Sequence, residues 1–103
     1  MESVVLDFTG CSHWSEIHRI IKESFDFPNY YGENLSALWD CMRDYCDNMH
    51  VYIKGLNTLT QDYYEYMIKI LEVFDDVHQE NPGFTFEIIQ VNALQSKISD
   101  DLE

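Results

Sequence analysis

Hydrophobic and polar residues alternate in three short stretches of the chain, at residues 4–8, 50–54 and 84–90. Successive side chains of a strand point to opposite faces of a sheet, so this alternation indicates strands with one apolar and one polar face. The pattern therefore predicts half-buried strands. The side chains on their apolar faces are Val4, Leu6 and Phe8; Val51 and Ile53; and Phe84, Phe86 and Ile88.

Between the predicted strands, apolar residues recur every three or four positions, which is the spacing of one face of a helix. The first set follows Ser12 and the second follows Asn34, and both residue types cap helices well. The third and longest set follows Thr58 and Gln61, which have the spacing of a capping box. Each set predicts one helix. The sets are Trp14, Ile17, Ile20 and Ile21; Leu35, Leu38, Trp39, Met42 and Cys46; and Tyr63, Met67, Ile70, Leu71, Phe74 and Val77.

The predicted order of elements is strand, helix, helix, strand, helix, strand. Helical crossovers between successive strands favour a parallel sheet with right-handed connections. Because the second and third strands keep a polar face, we expect the helices mainly on one face of the sheet. The sequence thus predicts an α/β fold, a small two-layer domain with a three-stranded parallel sheet, over residues 1–90. Residues 91–103 form a C-terminal extension with the apolar spacing of a short helix, at Leu94, Ile98 and Leu102.

The charge of the chain narrows the possible partners. Its 103 residues, enough for one domain, include nineteen acidic and six basic residues, a net charge of −13. Nucleic acids and anionic membranes are polyanions that bind through Lys and Arg, so this balance opposes both as partners. It favours a basic partner, although acidity can also serve solubility alone.

The first residues and the cysteines of the chain give an expectation for its compartment. An acid, Glu2, stands where a secretory signal would be positive, and no apolar run approaches the roughly 18 residues of a membrane span. Cys11, Cys41 and Cys46 are an odd number of thiols, and Cys41 and Cys46 are spaced wrongly for a zinc pair. We therefore expect a cytoplasmic protein whose cysteines are reduced and buried as small apolar residues.

The second predicted helix has a polar face that could meet a partner. Ser36, Asp40 and Asp44 recur every four residues, away from the apolar set. Asp40 follows Trp39 directly, so the two side chains diverge by about 100° around the helix axis. The Trp39 ring can therefore pack inward while the Asp40 carboxylate faces solvent.

The loop before this helix contains Tyr30, Tyr31 and Gly32. Tyrosine is frequent in binding surfaces because it has a large ring with a polar tip, although a single tyrosine is more often part of a core. Gly32 indicates either a positive φ angle or the close approach of another backbone. This loop is therefore a second candidate contact surface.

A stripe of acids on the third predicted helix is the third candidate. Glu72, Asp76 and Glu80 are four residues apart, with only Lys69 near them along the helix. Like charges at this spacing destabilise a helix by about 0.2–0.5 kcal/mol per pair, a cost that indicates an absent basic partner. The stripe could equally be a solvated helix face. A third possibility is that Asp40, Asp76 and Glu80 hold magnesium for phosphoester hydrolysis.

The segment "YYGENLSALWD" after "FPN" resembles the signature of the barstar family, intracellular inhibitors of secreted bacterial ribonucleases such as barnase. The resemblance covers roughly residues 4–90 and includes "LEVFDD" and "TFEII" near its end. It implies a small parallel-sheet domain, the same fold that the periodicity predicts. It also implies a protein without catalytic activity or cofactor that binds a basic, extracellular-type ribonuclease or a related toxin, as a monomer and one-to-one.

The resemblance further implies which residues meet the ribonuclease. In the family, the aspartate after the helix tryptophan occupies the place of the substrate phosphate, and Asp40 has that position here. The tyrosine-containing loop covers the catalytic cleft, and acids of the last helix add contacts. Together with the polar face of the second helix, the expected partner-binding residues are Tyr30, Gly32, Asn34, Ser36, Trp39, Asp40, Asp44, Asp76 and Glu80.

Four positions depart from the best-known member of the family. Ser36 stands in place of a second aspartate in the recognition helix, and Asp76 in place of a glutamate. Tyr45 replaces a tryptophan, and Asp44 adds an acid. The target can therefore be a ribonuclease other than barnase. Two other functions remain as alternatives, an acidic interaction module that does not inhibit its partner and the metal-dependent phosphoesterase.

Overall fold

Strands and helices follow one another in the predicted order in a computed structural model that describes residues 2–89. None of the helices in this part of the chain is long and apolar enough to cross a bilayer. The helix predicted within residues 91–103 lies outside the described residues. The elements are β1 (Glu2–Asp7), α1 (Trp14–Phe25), α2 (Leu35–Tyr45), β2 (Met49–Lys54), a 3₁₀ turn (Leu56–Thr58), α3 (Gln61–Glu80) and β3 (Phe84–Ile88).

The three strands form one parallel sheet in the order β1-β2-β3, which confirms the predicted topology. Val51 of β2 lies opposite Val4 on one side and Phe86 on the other. Parallel neighbours need crossover connections, and α1 with α2 supplies the first and α3 the second.

The helices cover one face of the sheet, as predicted. Leu6, Val51 and Ile53 are buried beneath them, whereas Val5 on the opposite face is 53% exposed. One strand residue departs from the prediction: Ile88, expected on the buried face, is 45% exposed. The rings of Phe84 and Phe86 pack against α3, but the end of β3 extends past this cover, so alternation alone placed Ile88 wrongly.

The apolar stripes of the three helices meet the covered face of the sheet in one core. Burial of the apolar surface in this core is the main contribution that stabilises the fold. Trp14 was expected in the stripe of α1, but it is 45% exposed at the first turn, and His18 is buried instead. Fully buried helix residues include Ile17, Ile21, Leu38, Met42, Met67, Ile70 and Phe74.

The cap of α1 differs from the predicted one. His13, not Ser12, is the capping residue, and its Nδ1 accepts a hydrogen bond from the backbone N–H of Ser15 at 3.1 Å. Ser12 instead donates its backbone N–H to Glu16 Oε1 at 2.7 Å. Glu16, an acid in the first turn, thus satisfies a backbone donor outside the helix, and the cap lies one residue later than predicted.

The capping box predicted for α3 was also wrong. The residue before α3 is Thr60, whose side chain makes no capping hydrogen bond. Thr58 lies in the 3₁₀ turn, where its Oγ1 donates to the carbonyl of Gly55 at 2.7 Å and accepts from the N–H of Gly10 at 3.1 Å. The hydroxyl therefore connects the segments that follow β1 and β2.

The three cysteines are free and buried, as the sequence predicted. Burial raises the pKa of Cys46 to about 12 and also raises the pKa of Cys11 and of Cys41. Protonated thiols are poor nucleophiles and poor metal ligands, so these cysteines act as small core residues.

Candidate partner-binding site

A cleft of about 350 Å³ lies between α2 and α3 and brings together four of the predicted site residues. Helix-spaced residues of α2 form one wall and two residues of α3 form the other. The predicted residues are Ser36, Trp39, Asp40 and Asp76, and Leu35 and Val73 complete the lining. The sequence did not identify Leu35 and Val73 as site residues, because an apolar side chain at a helix edge has the same pattern as a core residue.

Asp40 is exposed on the face of α2 that points away from the core. Its neighbours Leu38, Cys41 and Met42 are buried, which orients the remaining face of α2 outward. Within residues 2–89 the carboxylate of Asp40 takes part in no side-chain hydrogen bond or ion pair. Its charge is therefore not neutralised by a cation of the described chain.

Arg43 occupies a position in this surface that the sequence analysis missed. Its Nε lies 3.3 Å from Glu80 Oε1, and its guanidinium carbon lies 5.5 Å from the centre of the Trp39 ring. Arg43 is one turn after Trp39 on α2, so helical spacing alone could have placed the two on one face. The acidic stripe of α3 therefore does have a compensating cation, which comes from α2 and pairs with Glu80.

Tyr30 is 77% exposed, unlike the core position that is typical of a single tyrosine. Its hydroxyl oxygen lies 3.4 Å from that of Tyr45, the last residue of α2. An O–H···O hydrogen bond is usually near 2.7 Å, so this contact is weak. Most of the Tyr30 ring is therefore available to a partner.

Gly32 has neither of the features predicted for it. Its φ angle is not positive, and a Cβ placed on it would meet only side-chain atoms, those of Ala37 and Asn34 at 3.4 Å. The positive φ angle falls on the next residue, Glu33, at 54°. Steric demands within the described chain therefore do not require glycine at position 32.

Asn34 caps α2 as predicted. Its Oδ1 accepts from the backbone N–H of Ala37 at 2.8 Å, and its Nδ2 donates to the carbonyl of Gly32 at 3.2 Å. Both ends of the amide are thus used to shape the loop and start the helix. Asp44 is exposed one turn beyond Asp40, and it does not line the cleft.

A buried network holds the loop against the helices. His18 Nδ1 lies 2.6 Å from the hydroxyl of Tyr31, and its Nε2 lies 2.6 Å from the hydroxyl of Tyr66. A neutral imidazole has one donor and one acceptor nitrogen, so one tyrosine accepts and the other donates. Tyr31 is thereby fixed to His18 of α1, which is in turn bonded to Tyr66 of α3, and its neighbour Tyr30 is held at the surface.

This network makes stability depend on pH. Burial lowers the pKa of His18 from its ordinary value of 6.5, an effect that nearby Glu33 partly opposes. The unfolded chain then takes up a proton at a higher pH than the folded chain. We expect the His18 contribution to the free energy of unfolding to be fully present above its ordinary pKa of 6.5 and to be lost as the pH falls through that value toward the lower pKa of the folded state.

Urea unfolding at pH 8 and pH 5.5 measures this decrease. The variant His18→Gln should be less stable at pH 8 but should lose part of the difference between the two pH values. An unchanged difference in this variant would contradict the assignment to His18.

The described residues do not bring the carboxylates together as a metal site would require. Within residues 2–89, no group of three or more His, Cys, Asp and Glu side chains could hold a metal ion. The phosphoesterase alternative therefore has no donor set in this part of the chain.

Comparison with known proteins identifies the family. The family model described as "Barstar (barnase inhibitor)" matches residues 1–91. The chain belongs to the barstar family. It is also 30% identical over 81 residues to a Bacillus subtilis (strain 168) protein named "Putative ribonuclease inhibitor YrdF", covering 78% of this chain and 89% of that relative. The predicted resemblance is thus confirmed, and the cleft between α2 and α3 includes part of the barstar-like segment 30–40.

Proposed function

We propose that this barstar-family protein inhibits a basic ribonuclease of the barnase type by inserting Asp40 into its active site in place of a substrate phosphate. The observation that carries the proposal is the exposed carboxylate of Asp40, which no cation of residues 2–89 neutralises. Asp40 and Asp76 both line the α2–α3 cleft. The inhibitor acts in the cytoplasm as a monomer that binds one ribonuclease.

The physical basis is the match between a carboxylate and a cationic cavity. A ribonuclease holds the RNA phosphate with positively charged side chains, and the same side chains can donate charge-assisted hydrogen bonds to a carboxylate. Removing Asp40 from water is costly unless the partner supplies these cations in suitable geometry. This need for suitably placed cations favours partners that have a phosphate-binding site. It therefore supports inhibition at the active site over binding elsewhere on the partner.

The exposed ring of Tyr30 and the partly buried ring of Trp39 supply the apolar part of the interface. Tyr30 presents most of its ring to solvent, and Trp39 lines the cleft beside Asp40. Aromatic side chains bury a large area at a low cost in conformational entropy, which is why they are frequent in protein interfaces. We propose that Tyr30 covers the ribonuclease cleft while Asp40 enters it.

A titration of ribonuclease activity tests the proposal. Barnase and other basic bacterial ribonucleases are assayed at fixed concentration while the inhibitor is added. Activity of the target should fall linearly and end at one inhibitor per enzyme. A ribonuclease that binds but stays fully active would instead support the non-inhibitory interaction module.

The net charge predicts the salt dependence of association. A net charge of −13 attracts a basic enzyme over a long distance at low ionic strength. At 0.1 M salt the screening length is only about 10 Å, so the attraction is much weaker. We expect the association rate to fall steeply as ionic strength rises, with a much smaller change in the dissociation rate. Stopped-flow fluorescence at several salt concentrations measures both rates, and a salt-independent association rate would contradict the electrostatic role of the acids.

Arg43 should oppose a basic partner. The variant Arg43→Gln removes a cation beside Trp39 and releases Glu80. Exposed ion pairs contribute at most about 1 kcal/mol, so we expect tighter binding by up to about fivefold. Arg19→Gln on α1 is the matched control, since it changes the net charge equally at another exposed site. Weaker binding of Arg43→Gln would mean that Arg43 itself contacts the ribonuclease.

A further inference from the structure

A second cleft, of about 390 Å³, is lined by three aromatic rings and two carboxylates. Its lining residues are Trp14, Glu33, Asp62, Tyr63 and Tyr66. Trp14 and Asp62 belong to the first turns of α1 and α3, and Glu33 belongs to the loop before α2. None of these five residues lines the α2–α3 cleft.

The aromatic walls of this cleft are held in place. The Tyr66 hydroxyl is hydrogen-bonded to His18, and the indole of Trp14 packs edge-on against the His18 ring at a centroid distance of 6.1 Å. His18 is itself fully buried. The rings therefore need little reordering to receive a ligand, which lowers the entropic cost of binding.

The charges in the cleft select a cation. No basic side chain of residues 2–89 lies within ion-pair distance of Glu33 or Asp62. The faces of the aromatic rings are also electron-rich and attract cations. The first turns of α1 and α3 carry partial positive charge, about half an elementary charge each, which is less than the two full negative charges. An anion is therefore disfavoured.

We propose that this cleft binds an arginine side chain of the ribonuclease that meets Asp40. A guanidinium group is planar and weakly hydrated, so it can stack on Trp14 or a tyrosine while it donates hydrogen bonds to Glu33 or Asp62. Glu33 directly follows Gly32 of the predicted contact loop, so one partner can reach both places. The inference rests on the proposed function, and it extends the interface to the first turns of α1 and α3.

A titration with a small probe tests the cleft without any ribonuclease. Nα-acetyl-arginine methylamide is added to the full chain while the indole N–H resonance of Trp14 is followed by NMR. We expect a saturable shift at millimolar probe, and no saturable shift with the uncharged citrulline analogue. Equal binding of the citrulline analogue would overturn the cation assignment.

A double variant tests the carboxylates. Glu33→Gln with Asp62→Asn should weaken binding of the arginine probe at least tenfold. The control is Glu2→Gln with Glu23→Gln, which makes the same change in net charge at exposed sites outside the cleft and should leave probe binding unchanged. Equal probe binding by both double variants would overturn the site.

The same double variants separate this inference from the proposed function. Against the inhibited ribonuclease, the Glu33 and Asp62 double variant should raise the dissociation constant about tenfold more than the control does. If inhibition is normal and the two double variants are equal, the arginine inference fails and the proposed function stands. If the chain inhibits no ribonuclease while the arginine probe still binds, the proposed function fails and the ribonuclease assignment of the cleft fails with it.

Discussion

Replacing Asp40 by alanine is expected to weaken binding of the target ribonuclease by roughly a hundredfold to several thousandfold. The loss of one member of a buried charge pair leaves the other charge desolvated and unpaired, at a cost of about 3–5 kcal/mol. Asp40 is exposed in the free protein and makes no side-chain hydrogen bond or ion pair within the described part of the chain. The variant should therefore fold as the parent does. Surface plasmon resonance gives the dissociation constant, and thermal unfolding gives the stability.

Two further variants test whether the loss of binding comes from removing the carboxylate at position 40. Asp40→Asn keeps the shape but removes the charge, so it should weaken binding nearly as much. Asp44→Ala removes the same charge one turn along α2, outside the cleft, and should mainly slow association. If Asp40→Ala bound as tightly as the parent, the assignment of Asp40 as the phosphate mimic would be wrong.

Replacing Gly55 by alanine is expected to destabilise the fold by at least about 2 kcal/mol, through backbone strain and steric overlap. Gly55 follows β2 with a φ angle of 87°, a conformation that favours glycine. An added Cβ would lie 2.6 Å from Thr9 Oγ1 and 2.8 Å from Thr9 Cα, with the Thr9 backbone nitrogen nearer still. Because Phe8 donates its N–H to the Lys54 carbonyl at 2.9 Å, the two segments cannot separate without losing strand pairing.

Gly10 provides a matched control for this prediction. Its φ angle is 77°, close to that of Gly55, but an added Cβ would meet no atom within 4 Å. Gly10→Ala therefore measures the cost of the backbone conformation alone, about 1 kcal/mol. Urea unfolding of both variants separates the two effects. Equal losses would show that the chain relaxes around the new methyl group at position 55.

Sequence periodicity predicted most of the fold because it is a local property of the chain. Alternation placed the strands, three-to-four spacing placed the helices, and the order of elements predicted the parallel sheet. The errors occurred at element ends. The hydroxyl of Thr58 joins two loops instead of capping a helix, and Ile88 extends beyond the cover of the helices. At these two positions the neighbouring elements, and not the residue type, decide the hydrogen bonding or burial of the side chain.

The geometry of the candidate site could be predicted from the sequence only in part, for the same reason. The segment around Asp40 identified the family and one face of α2, and Asn34 was correctly predicted as a helix cap. Sequence spacing could not predict that Arg43 would reach Glu80 on another helix. It also could not predict that Glu33 and Asp62 would line the same cleft.

By itself, the sequence determined the elements of this protein, its acidic character and its family, because these depend on residues that are close in the chain or on the total charge. Only the tertiary structure decided which acids are free and which are paired. Asp40 remains exposed, whereas Glu80 pairs with Arg43. The physical reason is that a contact between side chains of different elements depends on how helices and strands pack, and packing depends on the whole core.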